Sequence, residues 1–329
     1  MRVLIVGGAG YIGSATAKCF ANAGIEPVVF DNLQTGHRWA VRWGPLVEGD
    51  LGDTEAIQGA LREYQPEAVV HFAGSAYVGE SMAQPRQYFR NNVVNSLNLL
   101  DAMVDVGVRY LVFSSSCTTY GLPQRLPLAE DHPQHALSPY GESKLFVEHV
   151  LRWYSGPYGL HYAALRYFNA AGADADGSLG EAHDPETHLI PLVMQAALGR
   201  RPAVELYGTD YPTVDGTPVR DYVHVADLAE AHLRALRSLM DGSDNLELNL
   251  GTGRGYTVKE VIAAVERIGG RAVPVRIGPR RPGDAPALVA DASKARALLG
   301  WQPVCSDLET IVRTAWRWHS QDQATTPGD

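Results

Sequence analysis

Lysine is scarce in this chain, with 4 residues in 329, and Lys and Arg together (28) are outnumbered by 37 Asp and Glu, for a formal net charge of −9. That balance argues against nucleic acid or an anionic membrane as a partner, so any anionic ligand has to be held by a local cluster of arginines. Cysteine is scarcer still. Cys19, Cys117 and Cys305 are odd in number and far apart, with neither a disulfide framework nor a metal-ligand spacing; no metal site is expected, and the reading is a reducing, cytoplasmic setting. No uninterrupted apolar run reaches the ~18 residues of a membrane span. The opening Met1-Arg2-Val3-Leu4-Ile5-Val6 breaks at Gly7-Gly8, too short for an export core, and is read as a first strand. Repeats and low-complexity segments are absent. So is a G-x-S-x-G elbow, which leaves serine hydrolase chemistry unsupported.

What is present is an alternation of short β-rich runs and helical patterns. Strands are expected at 3–6, 27–31, 46–48, 68–72, 110–114 and 162–167, with helices at 12–23, 54–64, 88–106 and 140–154. Such alternation builds a parallel sheet wrapped by helices on both faces. The expected fold is therefore α/β: a Rossmann-type doubly wound parallel sheet followed by a smaller mixed α/β domain. Past Gly172 the pattern changes, because residues 173–187 (ADADGSLGEAHDPET) are loop-like and later elements are shorter. Residues 1–170 are read as a nucleotide-binding domain, to which 221–250 return, and 171–329 as a substrate domain.

Gly7-Gly8-Ala9-Gly10-Tyr11-Ile12-Gly13 lies between the first strand and the first helix. Glycines there let the backbone approach a pyrophosphate, which rests on the amides and positive dipole of the helix N-terminus. A second strand, Val28-Val29-Phe30, ends in Asp31, 18 residues after Gly13; a carboxylate about 20 residues beyond such a loop bonds an adenosine ribose. It also repels a 2′-phosphate, and Asn32-Leu33-Gln34 offers no cation to attract one. The cofactor expected is NAD rather than NADP.

Farther on come Ser114-Ser115-Ser116, ending a strand, and Tyr140-x3-Lys144. With 15 tyrosines and 4 lysines, a Tyr-x3-Lys pair arises by chance in roughly one such chain in five, so its weight comes from the glycine loop upstream. Four residues apart on a helix, the two side chains share one face. A phenol has a pKa near 10, and bringing it to neutrality requires about 4 kcal/mol. An ammonium about 5 Å away supplies about 3 kcal/mol at an effective dielectric of 20, and a cationic nicotinamide the remainder. Tyr140 is thus the candidate base, Lys144 its electrostatic partner, and Ser116 a hydrogen-bond partner for the same substrate hydroxyl.

Gly7-x-x-Gly10-x-x-Gly13, Ser116 and Tyr140-x3-Lys144 resemble the extended short-chain dehydrogenase/reductase family. Longer strings are similar to its UDP-glucose 4-epimerase branch: His71-Phe72-Ala73-Gly74, Val78-Gly79-Glu80-Ser81, Ser138-Pro139-Tyr140-Gly141, Leu165-Arg166-Tyr167-Phe168-Asn169, Asp210-Tyr211-Pro212-Thr213, Val219-Arg220-Asp221-Tyr222 and Gly283-Asp284-x-Pro286. They run in order along nearly the whole chain. The resemblance implies NAD-dependent interconversion of UDP-glucose and UDP-galactose through a 4-keto sugar, with NAD regenerated each cycle. It also implies roles for residues. Gly7, Gly10, Tyr11, Ile12, Gly13, Asp31, Asn32, Asp50, Leu51, Phe72, Ala73, Gly74, Asn91, Tyr140, Lys144 and Phe168 would hold the cofactor. Ser116, Thr118, Tyr140, Asn169, His188, Leu189, Tyr207, Arg220, Arg281, Asp284 and Leu288 would hold the UDP-sugar.

The resemblance implies a homodimer through a bundle of helices 88–106 and 140–154; their stripes Leu97, Leu100, Met103 and Leu145, Val150, Leu151 would equally serve to face the sheet. Two positions depart from the family pattern. Ala76 stands where many members carry a lysine, and Thr187-His188 where others carry two asparagines; His188 is read either as a substituting donor or as a helix start. Leu288 replaces a bulky tyrosine beside the sugar's 2-position, from which activity on N-acetylated sugars is expected. Other chemistries remain open. A pentose-nucleotide 4-epimerase shares every motif. A 4,6-dehydratase needs an acidic pair after the serine, where this chain has Cys117-Thr118, and an inert NAD-binding regulator would not be expected to keep Ser116, Tyr140 and Lys144. Cys117 is read as a core residue, and Asp131-His132 with His135 as solvated loop residues.

Overall fold

A computed structural model describes residues 1–281 and 283–321. A seven-stranded sheet forms its centre, in the order Leu246–Leu250, His161–Tyr167, Tyr110–Ser116, Ala68–His71, Arg2–Val6, Glu26–Asp31, Leu46–Glu48. All neighbours are parallel. The chain enters at Arg2–Val6 in the interior, builds outward to Leu46–Glu48, then returns to the other side through Ala68–His71. The carboxyl ends of Arg2–Val6 and Ala68–His71 therefore flank the point where strand order reverses, the place where doubly wound sheets bind ligands.

The strand residues are apolar on both faces because both faces are covered. Val3 and Ile5 point into a core shared with Ala17 and Phe20 of helix Tyr11–Asn22 and Leu228 and Leu236 of helix Val225–Met240. Leu4 and Val6 point the other way, to Ile57 and Leu61 of helix Thr54–Tyr64, Leu99 and Met103 of helix Asn95–Val106, and Val147 and Leu151 of helix Pro139–Tyr158. Leu100, Met103 and Leu151, three of the stripe residues above, thus face the sheet, and Leu145 is also buried. Helix Pro139–Tyr158 turns Phe146 and Trp153 outward, the latter 79% exposed, and Val94 just before helix Asn95–Val106 is also exposed.

The helix expected over 88–106 is broken. Pro85–Tyr88 leads into a π-helical stretch, Phe89–Val94, before regular helix resumes at Asn95. The wide turn contains Asn91 and Asn92, consistent with the tendency of such bulges to occur at functional sites.

A third core, with Ile190 and Val193 of helix Leu189–Ala197, Val261 of helix Val258–Gly269 and Ile311 of helix Leu308–His319, supports the smaller part of the molecule. Its principal sheet centres on Val219–His224, which pairs with Asn169–Ala171, Gly255–Thr257 and Ala287–Leu288. Residues 221–250 contribute to both parts, because Val219–His224 lies in the small sheet and Leu246–Leu250 completes the large one. Among the described residues no helix is long and apolar enough to cross a membrane.

Candidate active site

The glycine loop turns sharply after the first strand. Gly7 has φ +79°, and a Cβ there would stand 2.5 Å from the Ala73 amide nitrogen; one on Gly13 would stand 2.2 Å from the Gly7 carbonyl oxygen. Both positions require glycine. A Cβ at Gly10 would meet only the Gly7 carbonyl oxygen, at 3.4 Å, so the space in front of the following helix stays open. That helix begins at Tyr11 without a side-chain cap, leaving its first amides to an anion. Asp31 is buried against the loop: one carboxylate oxygen accepts from the Ala9 amide at 2.9 Å and the other from the Leu33 amide at 2.9 Å. Burial raises its pKa, and these two amides oppose the shift. Asn32 donates to Asp50 at 2.6 Å. Leu51 and Ile12 pack into the cores, so their backbones rather than their side chains are available to a ligand.

After Ala68–His71 the chain passes through Phe72 and Ala73, whose amides bond the Val6 carbonyl oxygen at 2.8 and 3.1 Å, and through Gly74 at φ +151°. Asn91 donates to Ser75 Oγ at 3.0 Å. Its neighbour Asn92 is buried and holds three points at once: it accepts from the Ser75 amide at 2.8 Å and donates to the Ser75 carbonyl at 3.0 Å and to Ser143 Oγ at 2.9 Å. Asn92 thereby ties the loop after Ala68–His71 to the helix that carries Tyr140 and Lys144. Helical periodicity had no place for it, because the π turn exists only in three dimensions.

Ser116 ends its strand. Its Oγ accepts from the Thr118 amide at 3.2 Å and from Thr118 Oγ1 at 3.0 Å, which leaves its own proton for Tyr140. Tyr140 lies in the first turn of helix Pro139–Tyr158, capped by Ser138. Burial pushes its phenol up to about 12, with the Ser116 hydrogen bond opposing. Lys144 donates to the Ser114 carbonyl oxygen at 2.8 Å, and its ammonium is 6.0 Å from the Tyr140 ring centroid. Burial lowers Lys144 to about 8. Burial therefore acts against the downward shift expected of the Tyr140–Lys144 pair.

The sugar-nucleotide candidates converge from the small sheets. Asn169 donates to the Asp221 carbonyl at 2.9 Å, and Leu288 is paired in register with Arg220. Arg220 donates to the Ala285 carbonyl at 2.9 Å and pairs with Asp284, while Arg281 reaches the other Asp284 oxygen at 2.9 Å. Tyr207 lies under the Arg281 guanidinium, 5.1 Å from it. The two arginines are thus pre-arranged around one carboxylate, a cationic fork suited to diphosphate oxygens. Leu288 packs against Cys117, Tyr120, Phe168 and Ala290, which links this group to the end of the serine strand. Ala76, the first departure from the family pattern, is exposed. His188 takes the N-cap position of helix Leu189–Ala197, and its ring turns toward Glu181 and Glu186. Burial would lower the rings of His183 and His188, but hydrogen bonds to Glu181 and Glu186 outweigh it and hold them at about 9 and about 10.

Cys117 is buried, which pushes its thiol up to about 12; it is a core residue. His132, expected to be solvated, is instead buried, bonding the Gln124 amide at 2.9 Å and the Pro133 carbonyl at 2.8 Å. Behind the serine strand lies a charge network that the sequence did not advertise. Arg166 is 1% exposed and reaches Glu148 through two bonds of 2.9 and 2.6 Å, Glu247 at 2.7 Å and Tyr120 at 3.0 Å. Glu148 also accepts from Ser115 Oγ at 2.5 Å.

Comparison with known proteins decides the lineage: the model of the NAD dependent epimerase/dehydratase family matches residues 3–251. The chain belongs to that family. It is 52% identical over 319 residues to a UDP-glucose 4-epimerase of Rhizobium leguminosarum bv. trifolii, covering 97% of each chain. Among solved structures of the family, it is similar to UDP-glucose 4-epimerase from Brucella ovis in complex with NAD, with TM-score 0.94 and 55% identity over 96% of this chain and 97% of that one. It is also similar to a UDP-glucose 4-epimerase from Stenotrophomonas maltophila with bound NAD and formylated UDP-arabinopyranose, with TM-score 0.94 and 43% identity over 97% of this chain and 98% of that one.

Proposed function

We infer that this protein is an NAD-dependent UDP-glucose 4-epimerase. The observation that carries the reading is the convergence of Ser116, Tyr140 and Lys144 beside the point where strand order reverses, in a chain so close to epimerases along its whole length. Gly7, Gly10 and Gly13 with the amides of Tyr11 and Ile12 would seat the pyrophosphate of NAD, Asp31 with Asn32 and Asp50 its adenosine end, and Phe72–Gly74, Asn91 and Phe168 the remainder. Bound NAD supplies a reversible hydride acceptor for the sugar's C4.

The protein's own groups do the rest. Tyr140 takes the proton of the 4-hydroxyl and later returns it. Ser116, its acceptor sites occupied by Thr118, would turn its one proton from Tyr140 to the oxygen of that hydroxyl and so orient it. Lys144 opposes the negative charge developing on the phenol. Arg220 and Arg281 hold the diphosphate, about which the 4-keto sugar turns to present its other face, while Asn169, Tyr207, His188 and Leu189 line the nucleotide side. Residues 1–170, with 221–250 returning to complete their sheet, make the cofactor side and carry Ser116 and Tyr140 to the sugar, and the residues from 171 on supply the rest of the UDP-sugar side. Dehydration is disfavoured, because the buried, protonated Cys117 cannot serve as the additional acid or base.

We place the protein in the cytoplasm as a homodimer. The dimer is supported by the apolar outward face of Phe89, Val94, Phe146, Trp153 and Tyr158. The test of the function is to incubate the purified protein with UDP-galactose and no added NAD, and to resolve UDP-glucose from it. Tyr140→Phe should remain folded and lose roughly 10²–10⁴-fold in kcat. Near-normal turnover by that variant, or strict consumption of stoichiometric NAD, overturns the assignment.

A further inference from the structure

The segment before helix Leu189–Ala197 carries Glu181-x-His183-x2-Glu186-x-His188. The chain folds these four side chains onto one point. His188 Nδ1 lies 2.7 Å from Glu181 Oε1 and 3.0 Å from Glu186 Oε1. His183 Nδ1 lies 3.0 Å from Glu181 Oε1 and 3.8 Å from Glu186 Oε2. One ligand atom from each residue falls within 4.8 Å of all the others. Corners of a tetrahedron around an ion with bonds of 2.0–2.1 Å stand about 3.4 Å apart; three of the four separations lie below that value at hydrogen-bond length, so an ion enters if these donors spread by about half an ångström.

Exposure fits a site with a closed floor and an open mouth. Both glutamate side chains are 5% exposed, whereas the His183 and His188 side chains are 22% and 44% exposed. The rings of Tyr11 and Tyr77 stand edge-on to His183 at 6.3 and 6.0 Å, an aromatic wall beside the imidazoles. Charge permits the exchange. Two nearly buried carboxylates need two positive charges. In the metal-free chain two imidazolium rings 5.1 Å apart supply them through Nδ1 hydrogen bonds to the glutamates, and one divalent cation would displace those two protons and supply the same charge with both rings neutral.

We propose that Glu181, His183, Glu186 and His188 form a binding site for a divalent transition-metal ion of the zinc class. Two imidazole nitrogens and two carboxylate oxygens, without sulfur, suit such an ion; magnesium and calcium prefer all-oxygen sites. Four protein ligands complete a tetrahedron and leave no open position, so the ion is structural rather than catalytic. It would fasten the segment that leads into helix Leu189–Ala197 beside Tyr11, whose hydroxyl already donates to the Gly172 carbonyl at 2.6 Å. His188 also lines the nucleotide side in the function proposed above, so the readouts are chosen to be independent of turnover.

The full-length protein is stripped with a chelator, titrated with Zn²⁺ or Co²⁺, passed through gel filtration and analysed for metal. The expected result is about one retained equivalent per chain, the intense visible bands of tetrahedral cobalt, and a higher melting temperature for the zinc-loaded than for the stripped protein. His183→Ala and Glu181→Gln should each abolish retention and the cobalt bands. Should either variant fail to fold, the stripped and reloaded wild type still provides the stoichiometry and the spectrum. Retention below about a tenth of an equivalent at micromolar zinc means that protons alone close the cluster, and overturns the proposal. So does unchanged binding by both variants, which marks an adventitious ion elsewhere.

Discussion

Replacing Lys144 with methionine isolates the electrostatic part of the mechanism. The side chains are similar in length, and the lysine is 5% exposed, so the variant keeps the packing while losing the charge and the hydrogen bond to Ser114. With the ammonium 6.0 Å from the Tyr140 ring centroid, its attraction for a phenolate is about 3 kcal/mol at an effective dielectric of 20. That corresponds to about two pKa units. Because burial holds the phenol high, each lost unit falls on the rate at neutral pH. The expected result is a kcat about 100-fold lower at pH 7, with the acidic limb of the pH profile displaced upward by about two units, so that part of the loss is recovered in alkali. Wild type should behave oppositely at the alkaline end: Lys144, lowered to about 8, gives up its charge above that pH, and the advantage over Lys144→Met narrows. A coupled assay converting UDP-galactose across pH 6–10 reads both. An unshifted profile, or a loss that is the same at every pH, would refute the electrostatic role and leave Lys144 a merely structural residue.

Other outcomes follow from particular groups. Burial lowers His71 to about 3 and His232 to about 4, so both rings stay neutral in the folded chain while their unfolded counterparts bind protons below about 6.5. The unfolded state then holds more protons, and stability should fall with acid by somewhat over 1 kcal/mol per ring between pH 6 and pH 5; urea titrations with a flat midpoint over that range would exclude this, and His232→Gln should remove that one ring's share of the slope. Leu288→Tyr should narrow any activity on UDP-N-acetylhexosamines while sparing plain hexoses, read as the ratio of the two kcat/KM values; an unchanged ratio would assign Leu288 to packing alone. Trp153→Glu with Phe146→Glu should give monomers of about 36 kDa in light scattering if the outward apolar face is the dimer contact, and a wild type that is itself monomeric rules the dimer out.

How far the sequence revealed this molecule depends on the range of the interaction concerned. The parallel sheet and the glycine loop were legible because they rest on local signals: alternating element types, a turn at Gly7 and a close backbone approach at Gly13 that only glycine permits. Ser116, Tyr140 and Lys144 were legible as a spaced motif. Arg166 and Glu148 were not recognised as a buried pair, since 18 residues separate them and nothing in either neighbourhood announces burial of charge. Asn92 was hidden by a π turn that helical periodicity cannot express. Glu181, His183 and Glu186 sat in a segment read as loop and His188 was read as a donor or a helix start; these side chains, two to seven residues apart, converge only because the backbone folds back on itself. The apolar stripes were read as either core or interface; the structure turns Leu100, Met103 and Leu151 to the sheet and leaves the outer face to Phe146 and Trp153.

Tyr140, Lys144 and Glu148 stand at i, i+4 and i+8 on one helix, successive steps of about 6 Å along its axis. The base, the cation beside it and the carboxylate clamped to Arg166 are thus three marks on a single rod. Ser115, gripped by Glu148, and Ser116, facing Tyr140, are consecutive residues of one strand and point to opposite sides of the pleat. Helix and strand are consequently joined twice, once on the chemical side and once on the buried side, and neither can rotate about its own axis without breaking one of the joints. Inserting one residue between Lys144 and Glu148 would turn one mark by about 100° relative to the next and uncouple anchor from base, whereas an insertion beyond Glu148 would leave their alignment intact. The tolerance of this helix to length changes should therefore be abruptly asymmetric about a single carboxylate that never meets the substrate.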